Sequence, residues 1–305
     1  MFDYLEDIIV EAPEDLKNHK NAQYPANQKL FKVDDESPLL STKKADIFHR
    51  IVARLLFASK RARPDIQVCV AFLCTRVKAS TEEDYKKLGR VISYLKETIH
   101  LPLVIGSDES GTLTWNIDAS FAVHPDLKSH TGASLTMGHG SLLSLSSKQK
   151  INTKSSTEAE LVGVDDAMTF VMWMKHFFEK QVDSLPMESK LKPLGTNNII
   201  EQDNTSAIQL ERNGWKSSNK RTKHINVRYF YVTDRIKNND ISAVVYKPTE
   251  GMQSDYLTKA LQGKLFYTHR ATLMGLNNIN ERVFYENYKT QQKEMSRVKG
   301  YSQTS

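Results

Sequence analysis

The chain has 305 residues, 39% hydrophobic and 26% charged, with a formal net charge of +6. These proportions exclude disordered and fibrous classes and leave room for two modest domains. No apolar run reaches the ~18 residues a membrane helix needs, and the opening MFDYLEDIIVEAPEDLK lacks the basic-then-apolar layout of a secretory signal. An intracellular protein of the cytoplasm or nucleus is expected, with no membrane partner. Cys69 and Cys74, in an apolar segment, suit neither a disulfide framework nor a zinc site and are read as buried free thiols.

Residues 1–44 mix acids, lysines, Asn and Pro with little apolar periodicity, and are expected to form a poorly ordered lead-in with one short helix at Asp3 to Val10. From Ala45 to Ser59, Ile47, Ile51, Leu55 and Leu56 recur at helical spacing. Pro64 then opens a second helix carrying Ile66, Val70, Leu73 and Val77. Ser80 with Glu83 is a capping-box signal for a third, which has Leu88, Val91, Ile92 and Leu95 on one face. Residues 45–100 therefore read as a small three-helix unit, marginal alone and expected to dock on the domain C-terminal to it.

LPLVIG and TLTWNID, separated by the polar loop Ser107 to Gly111, read as a hairpin. Thr131 to Met137 and Ser141 to Ser147 form a second strand pair around Gly138-His139-Gly140. A long helix is expected from about Ser156 to Gln181. Pro186, Pro193 and Gly195 mark a loop, and Asn198 to Gln202 a short strand leading to Asp203 and a brief helix ending near Gly214. A basic helical segment covers Thr222 to Lys237, Ile241 to Tyr246 is the last strand, and a final helix follows Thr249. This order gives a mixed α/β (α+β) layer domain over residues 101–276. A polar tail, 277–305, is expected to fray.

Four acids of that domain stand at element ends: Asp118, Glu160, Asp203 and Asp255. In the helix SSTEAELVGVDDAMTFVMWMKHF, a turn of 100° per residue puts Glu160 on the apolar face of Val164, Ala167, Val171, Met174 and Phe178. Glu158 shares its face with Asp165, Thr169 and His176. Glu160 is thus aimed inward, where a carboxylate needs a partner, and Glu158 outward, able to cap the helix with Ser155. A cation shared with other carboxylates is one such partner; a capping box between Glu160 and Thr157 is the other reading. Asp118 closes a strand in which Leu113, Trp115 and Ile117 alternate, and is a turn former or a ligand. Asp203 is a helix N-cap or a ligand. Asp255 complements a helix dipole or is a ligand. A compact mixed sheet can gather all four on one edge as a cage for hard divalent cations.

The strings IDASFAVHPDLKSHTG, SSKQKINTKSSTEAELVGV, QDNTSAI, RTKHINVRYF and YKPTEGMQSDYLTKAL follow one another between Ile117 and Leu261. Together they resemble the ribonuclease H domain of Ty1/copia-type retrotransposon polyproteins. Upstream, KRARPDIQVCVAFLCTRVKASTEEDYKKLGRVISYLKETIHLPL resembles the segment joining the reverse transcriptase palm to that domain, so the resemblance covers about residues 45–275. It implies a ribonuclease H-like mixed five-stranded sheet flanked by helices, preceded by a thumb- or connection-like helical remnant. It also implies that Asp118, Glu160 in Ala159-Glu160-Leu161, Asp203 and Asp255 are the catalytic, metal-binding acids. The cofactor implied is two Mg²⁺ (or Mn²⁺) ions roughly 3.5–4 Å apart. The implied substrate is the RNA strand of an RNA–DNA hybrid, recognised through backbone and 2′-hydroxyls. The helical-face argument selects the same glutamate.

Between Arg212 and Lys237 lie eight Lys or Arg against one acid, Asp234, with Trp215, Tyr229, Phe230 and Tyr231 interleaved. Such a segment suits phosphates and stacked bases, and Arg221, Lys223 and Arg228 are candidates for a backbone grip. The alternative is a solvated helix with aromatics in the core, which is the reading for Phe230 and Tyr231. Relatives often carry a histidine near the fourth acid, but the loop KPTEGMQS has none; His224, earlier in the chain, either reaches the site and the nucleic acid or anchors its helix. His124 in AVHPD reads as a loop residue. No Tyr-X-Asp-Asp stretch is present, so polymerase activity is not expected, and the chain looks like the C-terminal remainder of a longer polyprotein begun at an arbitrary methionine. Where the family has Thr-Lys-Pro-Leu, this chain has Thr258-Lys259-Ala260-Leu261, which bears on the start or bend of the final helix. Three functions stay open. One is a hybrid-specific endoribonuclease. Another is a catalytically inactive nucleic-acid-binding remnant or subunit of a reverse transcriptase, with a polymerase-bearing chain as partner. The third is a relative that cuts or joins DNA, against which the order of TKSSTEAEL, QDN and the final Asp argues.

Overall fold

The computed structural model describes residues 1–17, 22–183, 197–217, 226–277 and 279–301. The chain opens with α1 (Phe2–Glu11) and α2 (Glu14–Lys17). Three longer helices follow: α3 (Thr42–Ser59), α4 (Gln67–Arg76, entered through a 3₁₀ turn at Pro64) and α5 (Glu82–Glu97). The described residues of the stretch 1–44 are packed rather than poorly ordered. Leu5, Ile8, Leu16 and Leu30 enter one core with Phe48, Leu55, Phe72, Leu88 and Ile92. Beyond α1 the apolar residues are spaced too irregularly to announce further helices, yet Leu16, Ala22, Ala26 and Leu30 are buried. The capping box of α5 forms one residue later than Ser80 and Glu83 suggest. The Thr81 hydroxyl accepts from the Asp84 N–H, and the Asp84 carboxylate accepts from the Thr81 N–H at 3.1 Å.

The hairpin expected of LPLVIG and TLTWNID does not form. Leu101 and Leu103 pack instead against Met274 and Leu276, and the Val104 N–H donates to the Met274 carbonyl at 2.9 Å. Only β1 (Gly106–Ser107) of that run is paired, with β4 (Gly138–His139), so burial against a later helix consumes the apolar residues. The main sheet comprises β2 (Thr112–Ser120), β3 (His130–Thr136), β5 (Leu143–Lys148), β6 (Asn197–Gln202) and β7 (Ala243–Tyr246). Its order is β5-β3-β2-β6-β7, antiparallel from β5 to β2 and parallel from β2 to β7, the mixed five-stranded sheet expected. The long helix α6 (Ser156–Asp183) covers one face. Its Val164, Ala167, Val171, Met174 and Phe178 join Leu113, Trp115, Ile117 and Leu135 of the strands in a second core.

Beyond β6 come α7 (Thr205–Asn213) and α8 (Asn226–Lys237). The single final helix expected after Thr249 is broken. A 3₁₀ turn leads to the four-residue α9 (Asp255–Thr258), Lys259 is extended (φ −131°, ψ 145°), and α10 (Gly263–Met274) follows. Tyr256, Leu257, Phe266 and Leu273 belong to the core of the N-terminal helices, not to that of the sheet. A buried polar clasp accompanies them. Arg63 donates twice to Asp65 at 2.8 Å and to the Thr98 carbonyl at 3.0 Å, Tyr94 donates to Asp65 at 2.8 Å, and Arg270 donates to the Tyr94 hydroxyl at 3.2 Å. The tail expected to fray carries α11 (Glu281–Tyr301), held on α1 by Tyr285 and Tyr288 around Phe2 and by a 2.6 Å Lys289–Glu6 ion pair. Cys69 is buried and Cys74 half-buried, both free. Among the described residues no helix is long and apolar enough to cross a membrane.

Candidate metal centre

Asp118 lies inside the central strand β2, opposite Gly132 of β3, so it is not a turn former. Asp203 follows the end of β6, but the N-cap of α7 is Asn204, whose Oδ1 accepts from the Ala207 N–H at 3.1 Å, and Asp203 is thereby released from capping. Asp255 is the first residue of α9. One carboxylate oxygen from each of these three aspartates can be chosen so that all lie within 4.8 Å of one another, with Asp118 and Asp255 buried and Asp203 half-buried. Glu160 stands beside this group but not within it. It is 5% exposed and its Oε2 has no hydrogen-bond partner among the described residues. Glu158 also differs from expectation. It is 7% exposed, because its carboxylate folds back to accept the Lys154 N–H at 2.8 Å, while its own N–H donates to Ser155 Oγ.

Close backbone approach lets α9 deliver Asp255. A Cβ on Gly132 would stand 2.6 Å from Thr258 Cγ2 and 2.9 Å from the Ser254 carbonyl oxygen, so only glycine lets this helix lie on β3. From that position the Thr258 hydroxyl donates to Asp118, and Lys259 pairs with Asp255 at 2.6 Å and approaches Asp118 at 3.7 Å. Thr249 donates to Asp203 at 2.8 Å. Gly132, Thr258, Lys259 and Thr249 were not assigned roles from sequence. The signals were a glycine inside a strand and a hydroxyl and an ammonium at the end of α9.

Burial and crowding raise the proton affinity of Asp118 and Glu160. Burial, opposed by Lys259 and reinforced by Asp255, pushes the Asp118 carboxyl up to about 7. Burial and then the charges of Asp118 and Asp203 push Glu160 well above its ordinary value. Against the pull of partial burial, Asp118 and Asp255 raise Lys259. An all-oxygen donor set, crowded carboxylates and an orphaned buried carboxylate oxygen fit a hard divalent cation of the Mg²⁺ or Mn²⁺ kind.

Of the expected nucleic-acid residues, Arg221, Lys223 and His224 lie outside the described residues. Arg228, on α8, reaches Asp165 of α6 at 3.5 Å. Tyr229 is buried with Phe230 packed edge-on against it at 4.6 Å, whereas Tyr231 is exposed rather than core, beneath the Arg235 guanidinium. His124 is in a loop but buried, its ring 2.9 Å from that of His130.

The strand order, the helix laid across the sheet and the acids at one end of its parallel strands define a ribonuclease H-like fold. The chain is homologous to Pol polyproteins of copia-type transposons over about 70% of its length. It is 27% identical over 216 residues to the retrovirus-related Pol polyprotein from transposon TNT 1-94 of Nicotiana tabacum, covering 70% of this chain and 15% of that one. It is 29% and 28% identical over 205 residues to the corresponding polyproteins from transposons RE1 and RE2 of Arabidopsis thaliana, covering 67% of this chain and 13% of each. The chain thus spans about one seventh of the length of these relatives. No family model matches it, and no solved structure does.

Proposed function

We propose that the chain is a metal-dependent endoribonuclease that cleaves the RNA strand of RNA–DNA hybrids. The observation carrying this reading is the convergence of Asp118, Asp203 and Asp255 within 4.8 Å, from three separate elements of a ribonuclease H-like fold. Asp118, Asp203 and Asp255 would hold the cations, with Glu160 supplying a further carboxylate from the start of α6. When bound, two such ions activate a water and stabilise the leaving 3′-oxygen of the cut phosphodiester. The chain's own groups orient the ligands: Thr258 fixes the Asp118 carboxylate and Thr249 that of Asp203. The basic segment that includes Arg221, Lys223, His224 and Arg228 supplies the proposed backbone grip, reading the hybrid by shape and 2′-hydroxyls.

The test is hybrid cleavage by the purified chain in Mg²⁺ beside Asp118→Asn. The wild type should cut the RNA strand and leave duplex DNA intact. The variant should lose about 100-fold or more of that rate while keeping its far-UV circular dichroism. Hybrid binding without cleavage would replace this reading with that of a nucleic-acid-binding remnant.

A further inference from the structure

We propose that Lys259 is a movable counter-ion of the acidic cluster, seated among the carboxylates when no divalent cation is present and displaced when one binds. The proposal rests on the reading of the cluster as a metal centre and concerns how that centre is held and filled.

Lys259 is placed for this by the break after α9. Its backbone is extended, and its side chain turns back so that Nζ lies 2.6 Å from Asp255 Oδ1 and 3.7 Å from Asp118 Oδ2. The two carboxylates are almost wholly buried, whereas the lysine side chain is 39% exposed, so its way out is open to solvent. Buried carboxylates crowded into one space without a cation repel one another strongly. The ammonium supplies the missing charge and keeps the ligands assembled.

The same position makes it a competitor. A divalent ion gripped by Asp118 and Asp255 would stand within a few ångströms of Nζ, where like charges repel at a cost far above that in water. A lysine, with its flexible stem and a single compact charge, can swing away at small cost. The affinity of the centre for a cation is therefore net of the lysine's departure.

Mn²⁺ titration followed by electron paramagnetic resonance, with thermal melts in EDTA and in saturating Mn²⁺, tests this on the full chain. Lys259→Met should bind Mn²⁺ at least about fivefold more tightly than wild type. It should also melt lower than wild type in EDTA and recover the difference in Mn²⁺. A second neutral variant, Lys259→Gln, must move in the same directions, which guards against a local packing defect in either one. An unchanged or weaker Mn²⁺ affinity, or an unchanged melting temperature in EDTA, overturns the proposal while leaving the metal centre standing. Absence of Mn²⁺ binding by wild type and variants alike overturns both.

Discussion

A methyl group at Gly132 would press on Thr258 and on the Ser254 carbonyl, and the pressure would fall on the short helix that holds Asp255. Gly132→Ala should therefore cost about 1–3 kcal/mol in urea unfolding, the range for overpacking a close contact, and should weaken Mn²⁺ binding in the same preparation. The carboxyls give a second residue-level expectation. Asp118 and Glu160 hold protons more tightly folded than unfolded, so both stabilise at low pH; the Asp118 contribution is full below about pH 4 and lost as pH rises through about 7, and that of Glu160 is lost in the same direction. In EDTA the melting temperature should fall between about pH 4 and 7, and Asp118→Asn should flatten that fall. At this scale the sequence was readable where periodicity applied. Glu160 is inward because residues four, seven and eleven places on are apolar. Thr258 was not readable, because its bond to Asp118 spans 140 residues of chain.

The element that decides the site is α9, and a buried relay fixes it from below. Ser146 Oγ donates to the Leu257 carbonyl at 2.7 Å, so His130 Nε2–H donates to Ser146 at 2.8 Å, and His124 Nε2–H in turn donates to His130 Nδ1 at 2.9 Å. Both imidazoles are neutral, His124 lowered to about 4 and His130 to about 3, because burial first, and then Lys148 and His124 respectively, disfavour their charged forms. Depressed pKa values of this kind add stability above about 6.5 that is lost as pH falls, a slope opposite to that of the carboxyls. Ser146→Ala would leave the Leu257 carbonyl and a His130 N–H unpaired. It should cost about 1–3 kcal/mol by urea unfolding and lower Mn²⁺ affinity through α9. Elements with strong periodicity, such as α3 and α6, were legible in the sequence. LPLVIG was not, because an apolar run of that length serves equally as a strand or as packing for a helix.

At the scale of the whole molecule, the candidate metal centre straddles two cores. Asp118 rises from strands that pack with α6, whereas Asp255 rides on residues buried among the N-terminal helices. Leu5, Leu16 and Leu30, from a stretch with little apolar periodicity, help to build the floor under α9 and α10. The clasp of Arg63, Asp65, Tyr94 and Arg270 is the polar part of that floor. Arg63→Met would strip Asp65 of its ion-pair partner in a dry interior, leaving the Tyr94 hydroxyl to donate to it, and should cost about 3–5 kcal/mol in urea unfolding. In the native clasp burial raises the Asp65 carboxyl, but the Arg63 guanidinium outweighs it and keeps that carboxyl below its ordinary range.

Because Asp118 and Asp255 belong to different cores, an ion shared between them would act as a cross-link as well as a reagent. It would close a loop on the order of 100 residues or more, and chain statistics make such closures entropically demanding in an unfolded ensemble. A contact this distant in sequence is expected to form after both cores have condensed. A cation would then stabilise the native chain mostly by slowing its opening, leaving the rate of folding almost untouched. Loading the centre would thus lengthen the lifetime of the folded chain.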